Sequence, residues 1–338
     1  MSKVTYLFGA GASALCLPVV EDIPARLEEF RNHMAHNKIE PTEFISSQSR
    51  VSYSEVEDLF QKECTDLIQN VKDHASIDTY AKKLFISNQK DTYIFLKSIL
   101  TIFFTYTQLT KPPDKRYDSF FASILKNNST EFNNDIRIVS WNYDFQFEMA
   151  YSQYSRKTDF HENQIALNLY PDGIRPSKYK DGFSIFKING TTSIYDIANR
   201  ETVNLFKTLH VDDEVNLRKR LLYFFLSMST NKGFKPLLSF GWENTNENHE
   251  ELNKVTYNSI NGCENLVIIG YSFPFFNREI DRQIFASISN GNPMKIYVQD
   301  LKPQNIIDKL DSVLPSEKRN HTFIPISSVD QFFLPHEL

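Results

Sequence analysis

Val4-Thr5-Tyr6-Leu7-Phe8-Gly9-Ala10-Gly11-Ala12-Ser13 is the stretch on which the reading of this chain turns. Residues 4–8 are an apolar run with the length of a buried strand. The run ends abruptly, with glycine at Gly9 and Gly11 and alanine at Ala14, which fits the G-x-G-x-x-G/A turn between a first strand and a helix. In such a turn the first glycine takes a left-handed conformation and the second keeps a side chain out of a phosphate's way. A helix starting there adds free N–H groups and a positive dipole end. Gly9, Ala10, Gly11 and Ser13 are therefore expected to hold a pyrophosphate, and Ser13 is also suited to capping a helix.

Outward from this turn, the bulk composition narrows the class. The 338 residues are 41% hydrophobic and 23% charged, as in a globular chain rather than a disordered one. A net charge of −5 offers no basic footprint for nucleic acid. Cys16, Cys64 and Cys263 lie far apart and form no CxxC, which suits a reducing cytosol and no metal. The start of the chain has no basic leader, so no secretory signal is expected. The longest apolar segment, residues 93–106, is broken by Lys97, Ser98, Thr101 and Thr105 and is too short and polar to span a bilayer. A cytoplasmic protein with no membrane contact is the expectation.

Periodicity predicts helices over residues 21–34, 52–71, 77–85, 91–109 and 117–125, with a polar loop over 37–50. A helical section of about 30–130 is far longer than an ordinary connection between strands, so it is read as an insertion. Strands come next at 136–140, 183–188, 266–269, 295–298 and 322–326, with helices at 280–288 and 303–314. Residues 195–229 read as helical and form a second, smaller insertion of about 195–232. The fold class is α/β, a Rossmann-like doubly wound parallel sheet, as one domain over 1–338 carrying both insertions.

Five apolar strands end in small or polar clusters: Gly9 to Ser13, Trp141-Asn142-Tyr143-Asp144, Asn189-Gly190-Thr191-Thr192, Gly270-Tyr271-Ser272 and Gln299-Asp300. In a doubly wound parallel sheet the carboxyl ends of the strands share one rim, where ligands bind. Dinucleotide dehydrogenases place a ribose-binding acid about 20 residues after the glycine turn. Here that distance lands on Glu28 and Glu29, inside a helix, which argues against hydride transfer.

The order of these clusters resembles the sirtuin fold, and more closely the bacterial sirtuin-like (SIR2-like) proteins that hydrolyse NAD. The resemblance covers roughly residues 4–30, 136–145, 183–193 and 235–300, and leaves both insertions outside it. Gly9 to Ser13 is similar to the family's GAG(I/A)S, and Ser140 to Asp144 to its (T)xN(I/Y)D. Lys235 to Glu243 is similar to its R/K-P-x-V-x-x-F-G-E, and Gly270-Tyr271-Ser272 to its G-(T/Y)-S. Asp300 stands where the family places the acid of an N-x-E strand end. Two features depart from the pattern. The four-cysteine zinc module of the deacetylases is missing, and Asn189, in Lys187-Ile188-Asn189-Gly190, stands at the family's histidine.

The resemblance implies an NAD glycohydrolase that releases nicotinamide and ADP-ribose without a metal. It further implies an NAD-depleting effector of bacterial antiphage defence, held in check by a separate sensor or regulatory protein or by homo-oligomerisation. Asn142, Asp144 and Asn189 are the expected catalytic residues. Gly9, Ala10, Gly11, Ser13, Asn142, Gly270, Ser272 and Asp300 are the expected NAD-binding residues. Asn142 suits the nicotinamide ribose, because an amide donates and accepts at once. Asp144 suits the developing cation, and equally an N-cap. His161 is a solvated loop residue on a plain reading and a substitute base on a sharper one. A degenerate module that binds NAD or ADP-ribose and regulates a partner is the alternative, with a deacylase or ADP-ribosyltransferase a third.

Overall fold

The computed structural model describes residues 3–36, 43–45, 51–126, 131–155, 157, 159–171, 179–209, 211, 213–230, 233–243, 247–289, 292–310, 313–314 and 321–338. Most of the loop read over 37–50 lies outside them. The described strands, in chain order, are β1 (Val4–Phe8), β2 (Ile136–Ser140), β3 (Leu169–Tyr170), β4 (Ser184–Lys187), β5 (Ile194–Asp196), β6 (Glu201–Val203), β7 (Phe234–Pro236), β8 (Asn265–Ile269), β9 (Lys295–Gln299) and β10 (Thr322–Ile326).

The chain divides into two compact units. One comprises Met1–Leu15, Pro113–Thr191 and Ser239–Leu338. It carries a seven-stranded sheet in the order β10-β9-β8-β1-β2-β4-β3, parallel throughout. All five residues of β1 are buried, as an unbroken apolar run at the centre of a parallel sheet requires. Successive side chains alternate between faces. Val4, Tyr6 and Phe8 join an aromatic core with Tyr117, Phe120 and Phe121 of the helix Lys115–Ile124, and with Phe147 of the helix Gln146–Ser155. Leu7 joins an aliphatic core on the other face, with Ile280, Ile284, Phe285 and Ile288 of the helix Arg278–Ser289. Helices thus cover both faces, and the doubly wound parallel architecture read from the sequence is present.

The other unit comprises Cys16–Pro112 and Thr192–Leu238, so the two insertions fold together. Its helices Ile23–Ala35, Tyr53–Lys72, Ile77–Ile86 and Lys90–Thr110 lie close to where the periodicity placed them. Ser52 begins the second with a capping box: its hydroxyl accepts from Glu55 N at 3.2 Å while Glu55 Oε2 accepts from Ser52 N at 2.7 Å. The first insertion runs over Cys16–Pro112, so it both starts and ends earlier than 30–130, and Lys115–Ile124 belongs to the sheet unit.

The helical reading of 195–229 is corrected at its start. β5 and β6 form an antiparallel hairpin that β7 extends to three strands, and the long helix begins only at Glu214–Ser229. The side chain of Asp196 sets the hairpin turn by accepting from Ala198 N at 2.9 Å and Asn199 N at 3.0 Å, and Arg200 takes φ +56°. The last helix, read to Leu314, is Pro303–Leu310. Residues 311–312 lie outside the described set.

Candidate functional site

The parallel ladder pairs Phe8 with Ser140 and Ile269, Ser140 with Lys187, and Ile269 with Gln299. The loops after these strands leave the sheet at one level, so the five clusters share a rim. From β1 the chain runs outward through β2 and β4, and from β8 it runs the other way through β9 and β10. The crevice between β1 and β8 is therefore the topological switch point, where open α/β sheets take ligands.

At that point two backbone turns interlock. Gly9 N donates to Ile269 O at 3.0 Å and Gly11 N to Gly270 O at 2.9 Å. A Cβ on Gly9 would stand 2.6 Å from Tyr271 Cα, and one on Gly11 2.8 Å from Gly270 Cα. Gly9 has φ −123°, so the first glycine serves close approach and not a left-handed turn. The left-handed residue is Gly270, at φ +58°. Gly9 leads into a single 3-10 turn, Ala10–Ser13, and no long helix, so the expected helix dipole is absent from this turn. The N–H groups of Gly9 and Gly11 are spent inside the protein. Ala10 N makes no hydrogen bond to any described residue and is the donor this turn still offers.

Ser13 is interior rather than phosphate-facing. Its hydroxyl donates to Asp144 Oδ2 at 2.7 Å, and Tyr117 Oη lies 2.9 Å away. Because the one Ser13 proton goes to Asp144, Tyr117 is the donor of that second bond. Asn142 Nδ2 also donates to Ser13 Oγ, at 3.3 Å, and to Gly9 O at 2.9 Å. Both amide protons are thereby used, and Oδ1 is left as an acceptor. The assignment of O and N rests on Gly9 O, which can only accept.

Asn189, two residues past the end of β4, repeats the arrangement. Its Nδ2 donates to Trp141 O at 3.2 Å, while its buried Oδ1 has no partner among the described residues. An unsatisfied buried acceptor costs about 1–3 kcal/mol, so this position calls for a donor. Asp144 accepts from Ser13 and, at Oδ1, from Gln146 N at 3.2 Å. It is both a cap for the helix Gln146–Ser155 and a brace for Ser13. Burial pushes its carboxyl above the usual range, and the Lys187 ammonium pulls the other way.

Three supporting groups escaped the sequence reading. Arg116 Nη2 donates to Gly11 O at 3.2 Å and Ala12 O at 3.0 Å, and its guanidinium pairs with Asp114 at 2.6 Å. Lys187, 1% exposed, donates to the main-chain O of Asp144 and pairs with Glu148 at 3.1 Å. The lone charge in the apolar run 183–188 was its signal. Behind Gly270, Tyr271 Oη donates toward both Asp281 oxygens at 3.0 Å, Asn277 Nδ2 donates to Tyr271 Oη at 3.0 Å, and the Tyr271 ring stacks on Trp141.

Burial pushes the Asp281 carboxyl well above the usual range, with the Tyr271 hydroxyl opposing. Between about pH 4, the ordinary aspartate value, and the raised native value, the native state binds a proton that the unfolded chain does not. The stability contributed by Asp281 therefore falls as pH rises through that window. Asp281→Asn is expected to gain on the wild type in Tm as pH rises from 4.5 to 8. A Tm difference that stays constant with pH would show that Asp281 titrates normally.

Ser272 and Asp300 follow β8 and β9 on the same rim, and neither they nor His161 hydrogen-bond to this cluster among the described residues. Ser272 is exposed, and its main-chain O accepts from Lys309 Nζ at 3.3 Å. Asp300 Oδ1 accepts from Lys302 N at 2.9 Å. His161 is exposed in the helix Phe160–Ala166, where its backbone N–H donates to Asp159 at 2.7 Å. No group of His, Cys, Asp and Glu among the described residues is placed to hold a metal, and no described helix is long and apolar enough to cross a membrane. No protein-family model matches the chain, and no curated protein matches it.

Proposed function

We propose that this chain binds NAD at the rim between β1 and β8 and hydrolyses its nicotinamide–ribose bond. The observation that carries the reading is the pair of anchored amides. Asn142 and Asn189 each spend Nδ2 on a strand-end carbonyl and keep Oδ1 as an acceptor, beside the glycine interlock at the switch point. Two fixed acceptors on adjacent parallel strands suit two hydroxyl donors, which a ribose supplies. In the reaction the C1′–N bond breaks, and its electron pair leaves with nicotinamide as a neutral base. The resulting ribosyl cation takes the oxygen of water, which gives up a proton. Acceptors held on the ribose hydroxyls release electron density toward the cation as it forms, without reorganising. No step calls for a titrating group at Asn189. In line with the resemblance, the activity would serve NAD depletion in antiphage defence under a partner protein or an oligomer.

The test is incubation of the purified protein with NAD, alone and in EDTA. Nicotinamide and ADP-ribose are expected in equal amounts, with no loss of rate in EDTA. Zinc-restored activity would overturn the metal-free reading. The alternative is a module that binds NAD or ADP-ribose and regulates a partner. It is favoured by the neutral Asn189 at the family's histidine, and calorimetric binding of NAD without nicotinamide release would establish it.

A further inference from the structure

We propose that Lys187 is a positioning residue that pins the turn after β2 to the end of β4 and so holds Asn142 and Asn189 at one spacing. Lys187 is the last residue of β4, two before Asn189. Its register partner is Ser140, two before Asn142. The ammonium is shared between the Asp144 main-chain O, in the turn, and the Glu148 carboxylate, on the helix just beyond it. It also lies 5.1 Å from the centroid of the Phe145 ring. One buried cation thus gathers three residues of the segment 144–148 onto the neighbouring strand. A charge on a fully buried strand is costly and is retained where it is paired. Glu148 Oε1 has no partner among the described residues, so Lys187 supplies the ionic compensation of that acid.

The activity arm of this proposal rests on the NAD reading above, and the exchange arm does not. Lys187→Met alone strands the Glu148 charge, and misfolding would mask the effect. The double variant Lys187→Met/Glu148→Gln removes both charges at similar volume. Glu148→Gln alone keeps the bond to Asp144 O and leaves the Asp144 carboxylate as a countercharge to the ammonium, so it serves as the reference. Amide hydrogen exchange over residues 141–145 is expected to rise about 10-fold or more in the double variant and to stay near wild type in Glu148→Gln, with β1 and β8 unchanged in both. The kcat for nicotinamide release should fall about 10–100-fold in the double variant, with KM within about 3-fold, as loss of geometry rather than of binding predicts. Unchanged exchange over 141–145 would overturn the proposal whether or not the chain cleaves NAD. Accelerated exchange with an unaltered kcat would overturn it as well. Accelerated exchange in a protein whose wild type releases no nicotinamide would support the pin and overturn the NAD reading instead.

Discussion

Gly270→Ala is expected to lower stability by about 2–5 kcal/mol and to remove nicotinamide release. Its φ of +58° lies where an L side chain adds about 1–2 kcal/mol of strain. The new Cβ would stand 2.5 Å from Ala12 N and from Gly11 C, both backbone atoms that cannot swing aside. Forcing a methyl into such a contact costs about 1–3 kcal/mol more, by pushing the two turns apart. The displaced segment carries Ala10 N and Gly9 O, so the site opens together with the packing. Thermal unfolding monitored by circular dichroism should show a Tm lower by several degrees. Gly233→Ala is the control: its Cβ would meet Ser227 Cβ at 3.5 Å, an ordinary contact, and it should melt close to the wild type. A Gly270→Ala protein that also melts with the wild type would mean that the turns after β1 and β8 do not interlock.

Asn142→Ala is expected to reduce nicotinamide release about 100-fold or more while the chain stays folded. The substitution removes the Oδ1 acceptor assigned to the ribose, and preorganised groups of this kind are worth about 100–1,000-fold in kcat. It also strips Gly9 O of its Asn142 donor and Ser13 Oγ of one, at a stability cost of about 1–3 kcal/mol. The residue sits past a strand end and outside both hydrophobic clusters, so no apolar packing is lost in addition. Far-ultraviolet circular dichroism should match the wild type, with a modestly lower Tm. Near-normal nicotinamide release would place the ribose pocket elsewhere.

The elements that were legible in the sequence are those whose signal is local. The run 4–8 ends where β1 ends, and 136–140 and 322–326 coincide with β2 and β10. An apolar run closed by glycine or by a polar cluster leaves few other readings. The hairpin β5–β6 was missed because its strands are three residues each, too short for periodicity to speak. The turn chemistry of Asp196 was the cue that remained. At the candidate site, Asn142 and Asn189 were singled out by type and position, whereas their neighbours Arg116, Glu148 and Tyr117 were not. They lie on helices, where a charge or a tyrosine reads as a surface or core residue until its neighbour across the fold is known.

By itself, then, the sequence determined the α/β class, the succession of central strands, the glycine turn and the polar residues that close each strand, because these depend on near neighbours in the chain. The tertiary structure alone decided what those residues are free to do. The two glycines of the first turn meet a third glycine more than 250 residues away, so their N–H groups bind backbone instead of a phosphate. Ser13 and Asp144 satisfy each other across 131 residues, and Lys187 reaches Glu148 across 39. Hydrogen-bond satisfaction is a property of spatial neighbours, and a donor or acceptor left over, as at Ala10 N and Asn189 Oδ1, is what marks the candidate site.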